Sequence, residues 1–366
     1  MNPRIVSRLL LPLALLFAPH ALRAQTPGVS PNPQTGLSQG LLVQGAKPLD
    51  VPSEWKQLVG IYGNGKDLKI ILENEGQLFW RSAGGSSDWH ASWAENKSLL
   101  VSQGKGAGNL LFYAEQLPNG SVVKLSSGKL MFSRIDAGSD PSRFFHITPV
   151  RPLDQLRAEA LAAKPPQEQR NFREADLVEL TTLDNSIHLD IRYARTNNFL
   201  STPVYTQARA FMQRPAAEAL VRVSRKLQPL GYGLLIHDAY RPWYVTKIFW
   251  DATPPKDHQF VANPREGSKH NRGCAVDLTL YDLATGKPVE MPGLYDEMSP
   301  RSYPNFPGGT SLQRWHRDLL RRAMESEGFA VNESEWWHFD YKDWKSYGLL
   351  NVPFEHLGKP EATAAH

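Results

Sequence analysis

Hydrophobic and polar positions change their rhythm twice along this chain. From Trp55 to about Ile147 the apolar runs are short and β-like. Leu68–Leu72 is one, and Leu78–Trp80 follows after Glu75-Gly76. Leu110–Ala114 and Val122–Leu125 flank Pro118-Asn119-Gly120, a hairpin signal, and Leu130–Ile135 follows Gly128. Regular short strands of this kind predict a small sandwich or barrel. Residues 152–163 then read as a helix ending before Pro165-Pro166, where the texture becomes mixed. Ile187–Tyr193 alternates, with Ile187, Leu189 and Ile191 against His188, Asp190 and Arg192, and predicts a strand. Pro215 opens a helix with Ala217, Leu220, Val221, Ser224 and Leu227 on one face, stopped by Gly231-Tyr232-Gly233. Strands are expected at Leu234–Ile236, at Cys274–Leu280 and in Glu335–Tyr341. A second helix is expected over Leu312–Glu327, with Leu312, Trp315, Leu319, Leu320 and Ala323 facing inward and Gly328 as its stop. Helices and strands do not alternate strictly, so the fold class is α+β around a mostly antiparallel sheet, preceded by a small all-β domain.

The ends of the chain have a different texture. Arg4 and Arg8 precede an apolar run from Leu9 to Ala18, and small residues allow a cut after Ala24. This pattern predicts a signal peptide over 1–24, and hence export, most simply to a bacterial periplasm. The run is too short to span a bilayer comfortably, and no later stretch is long and apolar enough. Residues 25–50 are rich in Pro, Gly, Ser and Gln and predict a flexible linker. The remaining division is 51–150 for the β domain, 151–170 for a helical linker, 171–358 for the mixed domain and 359–366 for a disordered tail.

Composition narrows the functional classes. The formal charge is +4, of which Arg4, Arg8 and Arg23 supply three, so the mature chain is nearly neutral. Basic residues are scattered, which gives no electrostatic reason for a nucleic-acid partner. The single cysteine, Cys274, excludes an intramolecular disulfide. Sharing a strand with Asp277, it would point to the opposite face, and it reads as a small buried hydrophobe.

The chemistry concentrates in two stretches. Glu333-Ser334-Glu335-Trp336-Trp337-His338-Phe339-Asp340-Tyr341 puts a carboxylate three residues before a histidine among aromatics. Far upstream, Gly267-Ser268-Lys269-His270-Asn271-Arg272-Gly273-Cys274-Ala275-Val276-Asp277 supplies a second histidine and an aspartate. His270 and Asp277 are seven apart and would face opposite sides of a straight strand. A turn at Asn271-Arg272-Gly273 removes that objection, because glycine permits a tight bend. His270, Asp277 and His338 then suit a catalytic zinc, which takes three protein ligands and leaves one position for water. Glu335 is left as the base for that water. Trp336 and Trp337 would exclude solvent. Arg241, in Asp238-Ala239-Tyr240-Arg241-Pro242, could stabilise an oxyanion, bind a substrate carboxylate, or form a structural pair with Asp238. His188, His237, His258 and His316 have no evident ligand partners and read as structural or exposed.

These residues resemble a known family. Ser268 to Asp277 is similar to the Ser-x-His-x-x-Gly-x-Ala-x-Asp signature of the D-alanyl-D-alanine dipeptidases, zinc peptidases related to the vancomycin-resistance dipeptidase. Glu335-Trp336-Trp337-His338 resembles that family's Glu-x-x-His signature. Asp238–Pro242 and Ile187–Tyr193 resemble two further segments, in the same order, and the similarity covers roughly 172–355. It implies a hedgehog/DD-peptidase α+β fold with one zinc held by His270, Asp277 and His338. It implies Glu335 as catalytic base and Arg241 as the residue stabilising the intermediate. Ser268 and Asp296 are implied to hold the substrate's amino group, and Tyr240 and Tyr295 to line a small pocket; Asp238, which could hold Arg241 in place, is also expected among the substrate-binding residues. The expected activity is hydrolysis of D-Ala-D-Ala to two D-alanines during cell-wall turnover. The rivals are a carboxypeptidase or endopeptidase acting on peptidoglycan stems, and a non-catalytic cell-wall-binding protein. The β domain is an accessory that could contact cell wall or protein.

Overall fold

The computed structural model describes residues 42–43, 45–65, 67–85, 87–102, 108–136 and 144–358. The expected signal peptide, most of the expected linker and the expected tail lie outside the described residues.

The N-terminal β domain is a closed eight-stranded antiparallel barrel. A short helix α1 (Ser53–Leu58) leads into β1 (Gly60–Gly63), β2 (Leu68–Asn74), β3 (Gln77–Ser82), β4 (Asp88–Ala94), β5 (Ser98–Ser102), β6 (Leu110–Gln116), β7 (Val122–Ser127) and β8 (Leu130–Arg134). Each strand pairs with the next, and β8 returns to β1 through Tyr62↔Arg134 and Gly63↔Ser133. Closure leaves no free sheet edge. Alternate side chains fill the interior, where Trp80 stacks on Phe112 at 4.9 Å and meets Phe132 edge-on at 5.4 Å. The β6–β7 hairpin turns at Gly120, whose φ of +87° suits glycine. β1, β4 and β5 were absent from the sequence expectation: β1 has only Ile61-Tyr62 between glycines, β4 scatters its apolar residues among polar ones, and the apolar run of β5 is just Leu99-Leu100-Val101.

Helix α2 (Leu153–Ala162) follows and packs on the mixed domain. There β9 (Leu177–Glu179) runs into α3 (Leu180–Leu183), and β9 pairs with β11 (Phe211–Gln213). The main sheet has the order β10 (His188–Leu189), β12 (Tyr232–Asp238), β13 (Ala275–Asp282), β15 (Glu335–Tyr341) and β14 (Phe329–Asn332). Only the β10–β12 pair is parallel. Helices α4 (Arg214–Leu227), α5 (Trp243–Ala252) and α6 (Ser311–Glu325) complete the domain. All five residues expected on the inner face of α4 are buried.

Three local expectations need correction. The strand expected over Ile187–Tyr193 is only two residues long and gives way to a 3-10 turn at Arg192–Ala194. That turn swings Tyr193 inward against Phe249 of α5. Helix α5 itself was not expected. The inner side of α6 is also broader than its apolar stripe. Gln313, His316 and Arg317 are buried, while Leu312 and Trp315 are only half-buried. The polar residues are covered because a long loop packs there: Arg317 Nη1 donates to Phe306 O at 2.8 Å, and His316 Nδ1 lies 3.3 Å from Glu290 O.

Candidate active site and metal centre

Register across the central sheet sets up the site. Asp238 of β12 pairs with Asp277 of β13, and Asp277 pairs with His338 of β15. Cross-strand partners lie within a few ångströms, so one row of the sheet carries three polar side chains in a buried setting. His270 joins them from a 3-10 turn at His270–Arg272. Gly273, with φ +67°, then redirects the chain into β13, as the sequence suggested. Its amide and carbonyl are both used, by His270 O at 3.0 Å and by Gln213 N at 2.8 Å.

The donor atoms converge as a metal requires. Nε2 of His270, Nδ1 of His338 and Oδ1 of Asp277 are separated by 3.1, 3.1 and 3.3 Å. Ligands at zinc distances of about 2.0–2.1 Å in a tetrahedron are separated by about 3.3 Å. The outer nitrogens fix the tautomers. His270 Nδ1 donates to Ala239 O at 2.6 Å, and His338 Nε2 donates to Asp340 Oδ1 at 2.9 Å. The inner nitrogens are thereby left as acceptors aimed at one point, as in metal-binding histidines generally. Asp277 Oδ1 is buried and has no hydrogen-bond donor, whereas Oδ2 accepts from Tyr295 Oη at 2.9 Å. A buried acceptor without a donor costs free energy unless a cation completes it. All three residues are 6% exposed or less. Burial alone would raise the Asp277 carboxyl, but His270 and His338 beside it hold it well below the ordinary carboxylate range. Burial opposes a charge on His338, yet Asp340 and Asp277 hold its imidazole up to about 10. Each shift expresses the same demand of the site for positive charge.

Glu335 stands at the start of β15. On an ideal strand it and His338, three residues apart, would face opposite ways. The pairing with β14 shifts register between Val331 and Asn332, and this irregularity turns Glu335 inward. Its Oε2 lies 3.5 Å from His338 Nδ1 and accepts from Asn332 Nδ2 at 3.3 Å. Burial pushes its carboxyl up to about 7, against the pull of His338. Arg241 is held from behind: Asp238 Oδ2 accepts from Nε at 2.9 Å and lies 2.7 Å from Nη2. The guanidinium packs over Phe249 and Tyr193, with its Nη2 3.7 Å from Asp277 Oδ2.

Arg241, Ser268, His270, Asp277, Asp296, Glu335 and His338 all border one cavity of about 380 Å³. Asp296 has a left-handed backbone, φ +60°, uncommon for a side chain outside glycine. Its Oδ1 accepts from Tyr193 Oη at 2.9 Å, and its buried Oδ2 has no donor. Burial and the Asp277 charge push its carboxyl well above the usual range. Ser268 Oγ accepts from His270 N at 3.2 Å. Trp337 lines the cavity, while Trp336 is buried away from it.

Two expected substrate residues take other positions. Tyr240 does not reach the cavity: its hydroxyl donates to Val352 O at 3.0 Å and accepts from Val352 N at 2.8 Å, anchoring the C-terminal segment. Asp238 also stands behind the wall, bonded to Arg241 and to Tyr205 Oη at 2.6 Å. Tyr295 works beneath the floor, through Asp277. Cys274 is buried outside the cavity, and burial pushes its thiol up to about 12. The spare histidines have structural partners: His188 stacks on Tyr281, and His258 Nε2 lies 3.0 Å from Thr253 O. Sequence reasoning missed Asp340, although its spacing of two from His338 puts both on one face of a strand. It also missed Tyr193, whose role depends on the 3-10 turn.

Comparison with known proteins agrees with this geometry. Residues 173–357 match a family model described as D-ala-D-ala dipeptidase. A D-alanyl-D-alanine dipeptidase of Escherichia coli (strain K12) is 36% identical over 179 residues, covering 49% of this chain and 91% of that relative. Relatives of the same name from Enterococcus faecium and Streptomyces coelicolor are each 33% identical, covering 93% and 92% of their own lengths and 45% and 46% of this chain. The matched region holds every donor of the converging site and none of the barrel, and the chain belongs to the D-Ala-D-Ala dipeptidase family of metallopeptidases.

Proposed function

We propose that this protein is a zinc-dependent dipeptidase that hydrolyses D-Ala-D-Ala to two D-alanines, on a hedgehog/DD-peptidase-like domain. The observation that carries the reading is the convergence of His270 Nε2, His338 Nδ1 and the donorless Asp277 Oδ1 within 3.3 Å of one another. Zinc held by these three would polarise the scissile carbonyl and lower the pKa of water at its open position. Glu335 takes the proton from the attacking water and passes it to the leaving amine, a task suited to a buried carboxyl 3.5 Å from His338 Nδ1 at the edge of the metal position. Arg241, fixed by Asp238, presents its charge to the oxyanion that develops on the carbonyl. Asp296 Oδ2, buried and without a donor, accepts the substrate ammonium, and Ser268 Oγ adds a second acceptor. Recognition of a free amino group excludes substrates extended at that end, in which the amino group is already acylated, and the confined cavity of about 380 Å³ limits length at the other. With export to a periplasm, the product serves cell-wall turnover or recovery of D-alanine.

D-Alanine release is the test. The protein should cleave D-Ala-D-Ala, and acetylation of the amino group should abolish cleavage. Release from stem pentapeptides without release from the free dipeptide would replace this reading with a carboxypeptidase.

A further inference from the structure

No residue lining the cavity comes from the barrel, yet the barrel grips the loop that carries Asp296. The grip has three parts. At its far end, Leu72 of β2 forms a parallel bridge with Gly309, and Glu73 N donates to Gly309 O at 3.1 Å. The Glu73 carboxylate, 2% exposed, accepts from Ser311 N at 2.6 Å and from Ser311 Oγ at 3.2 Å, at the start of α6. In its middle, Phe306 is buried among Ile61, Ile70 and Leu72 of the barrel. Nearest to Asp296, Arg301 Nη1 lies 3.5 Å from Asp136, whose side chain is fully buried against Arg134 and receives Ile61 N at 2.5 Å.

Arg301 carries this contact to the site. Its Nε donates to Pro292 O at 2.8 Å and lies 3.7 Å from Glu297 Oε2. Glu297, 1% exposed, accepts from Leu294 N at 2.9 Å, closing the turn that contains Asp296. Asp296 sits at the strained point of that turn, with φ +60°. A strained backbone persists only where its surroundings over-determine it. Gly293, packed so closely under Arg301 that a Cβ would come within 2.6 Å of its carbonyl oxygen, shows how tightly the loop is pinned.

We propose that the barrel is a brace for the substrate-binding loop: through Asp136, Arg301 and Glu297 it holds Asp296 in its cavity-facing conformation, and so sets the affinity for the dipeptide's ammonium. Arg301 and Asp136 are positioning residues that stand outside the cavity, and Glu297, which borders it beside Asp296, links them to the turn. The inference rests on the reading of Asp296 as the ammonium acceptor.

The test is a double-mutant cycle on KM and kcat for D-Ala-D-Ala in the full chain, with zinc content and Tm measured beside it. Arg301→Gln should raise KM about tenfold while kcat and zinc content hold, because only the placement of Asp296 is disturbed. Asp296→Asn should raise KM by more. Added to Asp296→Asn, Arg301→Gln should change KM no further, since its effect runs through the lost carboxylate. Additive effects in the double variant, or an unchanged KM in Arg301→Gln, overturn the brace. An unchanged KM in Asp296→Asn overturns the ammonium reading instead, so the two failures are distinct. Should Arg301→Gln fail to fold, Glu73→Gln decides. This variant keeps the shape of the side chain and weakens the far anchor, and it should give a smaller rise in KM that is likewise absent in the Asp296→Asn background. A Glu73→Gln variant with lowered Tm and unchanged KM overturns the proposal.

Discussion

Nε2 of His338 donates to Oδ1 of Asp340 at 2.9 Å, while Oδ2 of Asp340 lies 2.8 Å from Lys269 Nζ. This pair decides which nitrogen of the ring is free to face Asp277. Replacing Asp340 with Ala should therefore weaken zinc binding by about 10–100-fold, the usual effect of losing a ligand's outer partner. Competition with a chromogenic chelator measures it. Lys269→Met, which removes only the ammonium beyond Asp340, should weaken binding less.

Arg241 depends on Asp238 for its position and on Phe249 and Tyr193 for its packing. Lys at this place keeps the charge and loses the planar fork. Arg241→Lys should lower kcat for D-Ala-D-Ala by about 10²–10³-fold, as losing one oxyanion donor does, with a smaller change in KM. Steady-state kinetics separate the two.

Gly273 turns the chain between two ligands with φ +67°, and a Cβ there would come within 2.5 Å of Leu177 Cδ2. Gly273→Ala should destabilise the fold by about 1–3 kcal/mol, from the left-handed backbone alone before the overlap is added. A fall in Tm of several degrees, with weaker zinc retention, is the expected outcome in a thermal melt.

His316 is buried between Tyr232 Oη at 3.1 Å and Glu290 O, and burial holds its imidazole down at about 4. The folded value lies below the unfolded one of about 6.5, so the fold favours the neutral ring. The resulting stability is full above about pH 6.5 and is lost as the pH falls to about 4, amounting to about 3 kcal/mol. His316→Gln should flatten the dependence of Tm on pH in that window.

The ligands and Glu335 were legible because their residue types stand close together in two stretches, and because the glycine after Arg272 explained how His270 and Asp277 could meet. The barrel and α4 were legible from strand spacing and from a clean apolar face. What escaped depends on register and on contacts between distant segments. The inward turn of Glu335 comes from the register shift at Val331–Asn332, which no periodicity shows. Tyr240 looked like part of the cavity wall, yet its hydroxyl is committed to Val352, 112 residues away. The buried polar side of α6 looked solvent-facing because the loop that covers it is itself held by the barrel.

The central claim is that one zinc and the Glu335 carboxylate act together on the dipeptide. Zinc content by mass spectrometry and D-Ala-D-Ala hydrolysis should be measured together in the parent protein and in Glu335→Gln. About one zinc per chain in both is expected, with activity in the variant lower by about 10³-fold or more. A parent protein purified without zinc that regains no activity when zinc is added, or a Glu335→Gln variant as active as the parent, would contradict the account.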